Sequence, residues 1–469
     1  MVFSSILFIF RFLPAALLIY FITPNKFKNF TLLILSLIFY SWGETKYILI
    51  MFASIFIDYF VSRGIEKYRG KNKIALCLLC ISIIFNLGML FFFKYFNFFI
   101  DNINTVFNLA LNHVKITLPL GISFYTFQTM SYSIDVYRGR VKAEKNIINF
   151  GAFVCLFPQL IAGPIVKYTD IQRELSHRVI NKEQIEEGIE LFILGLGRKV
   201  LIANNIGMLW TEVEAIGFTS ISTILAWLGV LAFAFQIYFD FSGYSLMAIG
   251  LGKMLGFNFP RNFNHPYIAR SMSEFWRRWH ITLGSWFREY VYIPLGGNRV
   301  SSLRMVFNLF IVWFLTGFWH GASWTFIAWG LYFGFFIAIE KAFLNKVLSK
   351  IYTPIRHLYL IMVVMIGWVF FRADNFHYAF NYIKCLFGIN GNILYDNSTL
   401  IYLNDYIYII IVAIIFSTPI IRIIKPRLRK FENNHIYYIL KSIIFMSIFI
   451  SVVIKLVNST YNPFLYFRF

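Results

Sequence analysis

The chain has 469 residues, 59% of them hydrophobic and 20% aromatic, with only 14% charged and a formal net charge of +21. That much apolar surface cannot face water, which excludes an ordinary soluble domain and a disordered chain. The cation excess, which in a soluble protein would suggest nucleic acid, lies in the loops between apolar runs and reports membrane topology instead.

Residues 4–22 form the first apolar run. They have the length of a signal peptide, but no A-x-A-like cleavage site follows and further runs do, so a first transmembrane helix is expected. Further runs occupy 30–60, 74–93, 146–165, 185–203, 221–251, 305–339, 357–371, 402–421 and 437–457. Some exceed one crossing and others fall short. Span length predicts about 11 transmembrane helices plus one or two re-entrant or surface helices. The two-residue alternation of a membrane barrel is missing, so the fold class is an all-α polytopic membrane protein. No linker, repeat or charge block divides it, and residues 1–469 read as a single membrane domain.

Between the early runs lie two basic loops, Arg63, Lys67, Arg69, Lys71 and Lys73, then Arg138, Arg140, Lys142 and Lys145. The positive-inside rule assigns both to the cytoplasm, together with Lys26 and Lys28, and puts the N-terminus outside. Cys77, Cys80, Cys155 and Cys385 sit in or beside apolar runs. No second pair or nearby histidine completes a zinc site around Cys77 and Cys80, and buried, reduced thiols are expected, with no metal.

Asp240 interrupts the apolar run 221–251. A carboxylate at membrane depth needs a partner, so a structural ion pair or helix-end contact competes with a direct role. From Lys253 to Arg304 the chain turns polar, with eight cations (Lys253, Arg261, Arg270, Arg277, Arg278, Arg288, Arg299, Arg304) against two anions (Glu274, Glu289). Ser271 and Glu274 have capping-box spacing, and Phe275, Trp279, Thr282 and Trp286 recur at helical spacing beyond them. A continuous helix at the cytoplasmic interface is predicted. Interfacial anchoring alone accounts for many such segments, but this one also carries His280.

The apolar run from Met305 to Ile339 contains no Asp, Glu, Lys or Arg and a single histidine, His320. An imidazole at that depth is costly to desolvate and is usually kept for a proton, ion or group-transfer task, although a structural hydrogen bond is the plainer alternative. Two histidines, a basic face and an apolar bundle suit acyl transfer, in which Arg277, Arg278 and Arg288 would pair with donor phosphates. No GxxxxGK[ST], HExxH or GxSxG motif occurs, nor does His-x-x-x-Asp: Trp324 follows His320 and Gly284 follows His280 at that spacing.

Six blocks in one order then identify a resemblance: Phe157-Pro-Gln-Leu-Ile-Ala-Gly-Pro-Ile165, Phe239-Asp-Phe-Ser-Gly-Tyr-Ser245, Asn262-Phe-Asn-His-Pro-Tyr267, Phe275-Trp-Arg-Arg-Trp-His-Ile-Thr-Leu283, Tyr292-Ile-Pro-Leu-Gly-Gly-Asn-Arg299 and Phe318-Trp-His-Gly-Ala-Ser-Trp324. Together they resemble the membrane-bound O-acyltransferase (MBOAT) family, in its bacterial alginate and peptidoglycan O-acetyltransferase branch, with the motif-bearing core at about 120–340. The resemblance implies a ring of helices around a central tunnel, His320 as catalytic residue and His280 as a second essential polar group on the cytoplasmic approach. Arg277, Arg278, Arg288, Asp240 and Asn298 are the candidate donor-binding residues. It further implies no bound cofactor, acetyl-coenzyme A or another acyl thioester as donor, and an extracytoplasmic polysaccharide as acceptor. An SGNH-type acetyltransferase partner and residence in the bacterial cytoplasmic membrane, surrounded by the lipid bilayer, also follow, with no nucleic-acid partner. The alternatives are D-alanyl transfer to teichoic acid and a non-enzymatic carrier in which His280, His320 and Asp240 relay protons.

Overall fold

The computed structural model describes residues 2–161, 163–420, 423, 435–459 and 465. Among the described residues every regular element is helical, the solution a hydrocarbon solvent enforces because a helix pairs each backbone N–H and C=O within one segment. Nine helical stretches among the described residues are long and apolar enough to cross a membrane. One of them, Asn25–Lys67, is 43 residues long. It breaks where Glu44 leaves helical geometry (φ −140°, ψ 48°), giving helices Lys28–Glu44 and Ile48–Lys67. The first apolar run forms the shorter helical stretch Phe8–Ile22. The chain is an all-α multi-pass membrane protein.

Two compact units divide the chain: Met1–Phe192 with Ser245–Pro260, and Ile193–Tyr244 with Arg261–Phe469. In the first, three helices converge on the buried carboxylate of Asp58. Ser82 and Asn86 of helix Asn72–Leu90 and Ser133 of helix Ile122–Tyr137 donate to it, Asn86 at 2.9 Å and Ser133 at 3.2 Å. Thr129 donates in turn to Asn86 Oδ1 at 2.7 Å. A carboxylate is tolerated at this depth because donors meet both of its oxygens. Where these helices end, Arg69 Nη2 donates to Val136 O at 2.8 Å, so the two basic loops lie together on one face.

The structure departs from two expectations here. The run 146–165 does not form a span. It folds as helices Ile147–Cys155 and Phe157–Leu160, separated at Leu156, with the Phe157 N–H donating to Ser36 Oγ at 3.1 Å. Non-helical backbone of this kind survives because protein, not lipid, surrounds it. Gly121, at φ +74°, packs so tightly here that a Cβ would stand 2.5 Å from Leu160 O. The cysteines divide as well: Cys155 and Cys385 are buried, whereas Cys77 and Cys80 are exposed on helix Asn72–Leu90, and all four thiols are free. Spaced three apart, Cys77 and Cys80 share one outward helix face.

The second unit is built around helices Ser302–His320 and Trp324–Ile339, joined by residues 321–323. They cross on glycines. A Cβ on Gly317 would meet Phe326 O at 2.3 Å, and one on Gly330 would meet Trp313 O at 2.3 Å. Small residues at a helix crossing let the backbones approach, which is how membrane helices gain packing energy without a hydrophobic driving force. That crossing brings His320, the last residue of its helix, against the side chains of the next.

Candidate active site

His320 is 3% exposed and is enclosed by aromatic rings. Its ring centroid lies 4.9 Å from that of Trp329, 5.0 Å from that of Trp319 and 5.5 Å from that of Phe371, all edge-on. Ser323 opens the following helix by accepting from the Phe326 N–H.

The continuous helix expected beyond Ser271 is instead two short helices, Met272–Arg278 and Ile281–Phe287, broken at His280, whose backbone is left-handed (φ 42°, ψ 54°). A preceding loop imposes the break: the Ile281 N–H donates to Asn262 O at 2.9 Å, and the Asn264 N–H donates to Arg278 O at 2.9 Å. Phe275, Trp279, Thr282 and Trp286 are all buried, so their periodicity marked the right face of a helix that is not continuous. The capping box is half formed. Ser271 Oγ accepts from the Glu274 N–H at 3.2 Å, but Glu274 reaches the N–H of Arg270 rather than that of Ser271. The remaining N–H groups at this end are met by Glu340, a fully buried carboxylate that accepts from Met272 at 2.6 Å and from Ser273 at 2.9 Å.

These elements enclose a cavity of about 350 Å³, lined mainly by aromatic and aliphatic side chains. His280, Trp276 and Thr316 line it, and Arg277, Arg288 and Lys341 add three cations. Thr316 stands one helical turn before His320. Trp319 connects the histidines, with its ring 6.0 Å from that of His280 and 5.0 Å from that of His320. His280 itself is 2% exposed, and burial pushes its pKa down to about 3, so it is neutral at physiological pH.

The donor-binding candidates separate. Arg277 and Arg288 line the cavity. Arg278 does not: its Nε and Nη2 both donate to Glu274 Oε1, at 3.0 and 2.8 Å, and its Nη1 donates to Asn264 O at 3.1 Å. Asn298 lies outside the lining but accepts from Tyr292 Oη at 2.6 Å and from Lys341 Nζ at 3.3 Å, and so touches a residue that lines it. Asp240 is buried in an ion pair with Lys199 at 2.6 Å and accepts from the Leu465 N–H at 2.9 Å. Lys199 also donates to Asn204 Oδ1 at 2.8 Å.

Sequence reasoning missed Lys341, Glu340, Asn262 and Lys199. Glu340 and Lys341 are the first charges after the long apolar run, and Lys199 is a cation inside the run 185–203, so each carried a readable signal. Asn262 carried none beyond its place in a motif block.

Comparison with known proteins places these features in a family setting. The model of the MBOAT, membrane-bound O-acyltransferase family, matches residues 140–379. The chain is 42% identical to the probable alginate O-acetylase AlgI of Pseudomonas aeruginosa, over 83% of this chain and 75% of that protein. It is 40% identical to the protein of the same name from Azotobacter vinelandii, over 84% and 80%. With the peptidoglycan O-acetyltransferase of Helicobacter pylori it shares 38% identity, over 83% and 80%.

Proposed function

The chain belongs to the membrane-bound O-acyltransferase family and is a membrane acyltransferase; from that premise we propose that it moves acetyl groups from a cytoplasmic thioester to hydroxyls of an extracytoplasmic polysaccharide such as alginate or peptidoglycan. The donor is acetyl-coenzyme A or another acyl thioester. Its phosphates pair with Arg277, Arg288 and Lys341, and its acyl arm enters the apolar cavity beside His280. His320 takes the proton from the acceptor hydroxyl as its oxygen bonds to the acyl carbon, and collapse of that adduct breaks the carbon–sulfur bond and returns the proton to the thiolate. The ring cage excludes the water that would hydrolyse the thioester. An SGNH-type acetyltransferase outside the membrane completes delivery to the polymer. The protein resides in the bacterial cytoplasmic membrane, with its basic loops in the cytoplasm and its N-terminus outside.

The observation that carries this reading is the cavity itself, in which His280 and three cations share one lining with Thr316, a turn before His320. His320→Ala is expected to lower acyl transfer by roughly 10²- to 10⁴-fold while the protein inserts and accumulates normally. The measurement is polymer acetylation, by mass spectrometry of cell-envelope polysaccharide, at matched protein level. Near-normal acetylation in the variant would remove His320 from the chemistry.

A further inference from the structure

Asn262, in the loop before the two short helices, is fully buried and directs one side-chain oxygen at three groups. The backbone N–H of Thr282 donates to Oδ1 at 3.1 Å, the Thr282 hydroxyl at 2.9 Å, and His280 Nδ1 stands 3.2 Å from the same atom. These contacts place a hydrogen on His280 Nδ1 by elimination. A backbone N–H can only donate, so the Asn262 atom that it meets is the amide oxygen, not the nitrogen. That oxygen can only accept, so the His280 nitrogen facing it carries a hydrogen. In a neutral ring with a proton on Nδ1, the lone pair resides on Nε2.

We infer that Asn262 is a positioning residue which holds His280 as the neutral Nδ1–H tautomer, so that His280 meets the occupant of its cavity as a lone-pair acceptor at Nε2. The occupant must then present an N–H, O–H or S–H group at that point, such as an amide along a thioester arm or the thiol released by transfer. This rests on the reading of the cavity as the donor site only for the identity of the occupant. The hydrogen on Nδ1 rests on the hydrogen bonds, and the neutrality of the ring on its burial. The left-handed backbone of His280, φ 42°, fits this account, because unusual backbone conformations persist where surrounding contacts over-determine them. Here the contacts are those of Asn262, whose backbone carbonyl receives the Ile281 N–H while its side chain receives the next one.

Asn262 Oδ1 is a polar contact at Nδ1 of the imidazole, and the backbone carbonyl of His280 itself is a second hydrogen-bond acceptor for the ring. Phe241 of helix Thr223–Met254 packs at 4.7 Å, Phe263 of the loop at 6.5 Å and Trp319 of helix Ser302–His320 at 6.0 Å between ring centroids. The charged side chains that share the cavity are Arg277, Arg288 and Lys341, and burial is the main cause that opposes protonation of the ring. The titratable neighbours carried by the packed elements are Asp240, paired with Lys199, and His265 and Arg261 on the loop, with His320 next to Trp319.

The test uses the full-length protein in detergent or bilayers, labelled with ¹⁵N-histidine, with the His280 signals assigned by their loss in His280→Gln. Long-range proton–nitrogen correlations read the tautomer directly. A neutral ring protonated at Nδ1 is expected, and protonation at Nε2 overturns the inference. Asn262→Asp keeps all three acceptor contacts and places a carboxylate against Nδ1–H, which stabilises the imidazolium. Both ring nitrogens should then carry protons near pH 7. Acyl transfer should fall about tenfold or more at that pH and recover as pH rises through the new pKa. A uniform loss with the native pH profile would reduce Asn262 to a helix cap and overturn the acceptor role. Should the chain prove to use another donor, the spectroscopic arm still decides the tautomer, so failure of the donor reading and failure of this inference are separable.

Discussion

At Asp240 the carboxylate meets Lys199 at 2.6 Å with both side chains almost wholly buried, and the Leu465 N–H occupies the other oxygen. Removing one partner of such a pair leaves an uncompensated buried charge. Lys199→Met is therefore expected to cost about 3–5 kcal/mol, and most of this should return when Asp240→Leu is added. Thermal unfolding of the single and double variants measures it; a double variant less stable than either single would mean that the charges are not coupled. Arg277 and Arg278 are adjacent in sequence and opposite in use. Arg277→Gln should raise the acetyl-coenzyme A concentration for half-maximal rate by about tenfold, the loss of one charge-assisted hydrogen bond. Arg278→Gln should leave that concentration unchanged and lower stability, because its partner is Glu274. His280 adds a pH term. Burial lowers its pKa from 6.5 to about 3 in the folded protein, so between those values the unfolded chain binds the extra proton. Stability is intact above pH 6.5 and declines as pH falls toward 3. In His280→Gln the decline over that window should be shallower in pH-dependent unfolding.

Among the elements, the crossing of Ser302–His320 with Trp324–Ile339 sets where His320 stands. It depends on two glycines because either Cβ would strike backbone of the partner helix, which cannot rotate away as a flexible side chain can. Gly330→Val should destabilise the protein by about 1–3 kcal/mol, the usual cost of overpacking, and should lower turnover of the folded fraction as His320 shifts. Thermal unfolding with activity per folded molecule separates the two effects. Helix Met272–Arg278 depends instead on a distant carboxylate, that of Glu340, whose two oxygens meet its first N–H groups. Its seven residues are too few to be stable alone, so the element that carries Arg277 exists because another helix completes its hydrogen bonds.

For the molecule as a whole, topology is the property most open to direct measurement. Arg69 reaches Val136, so the two basic loops share a face whichever side of the membrane that is. Single cysteines at positions 69 and 140 should therefore label together, and the positive-inside rule predicts that they label from the cytoplasmic side. The native Cys77 and Cys80, exposed in the structure, are replaced by serine first. Labelling of either engineered cysteine from outside intact cells would reverse the orientation.

Hydropathy, charge asymmetry and the absence of strand alternation determined an all-α multi-pass protein from sequence, because lipid leaves the backbone few alternatives and each span is a local property. The isolation of His320 and the ordered motif blocks were local signals as well, and they pointed to the family. Hydrogen-bond partners are not local. Asn262 and His280 are 18 residues apart, and Met272 and Glu340 are 68 apart, and nothing in a periodicity brings them together. A helical pattern ran unbroken through Trp279 and His280 in the sequence, and only tertiary contacts with the Asn262 loop ended it there. Glu274 and the loop carbonyl of Asn264 set Arg278 apart from Arg277, and packing between two other segments gave Asp240 to Lys199. Local chemistry determines which groups a membrane segment carries, and packing between distant segments decides which of them meet.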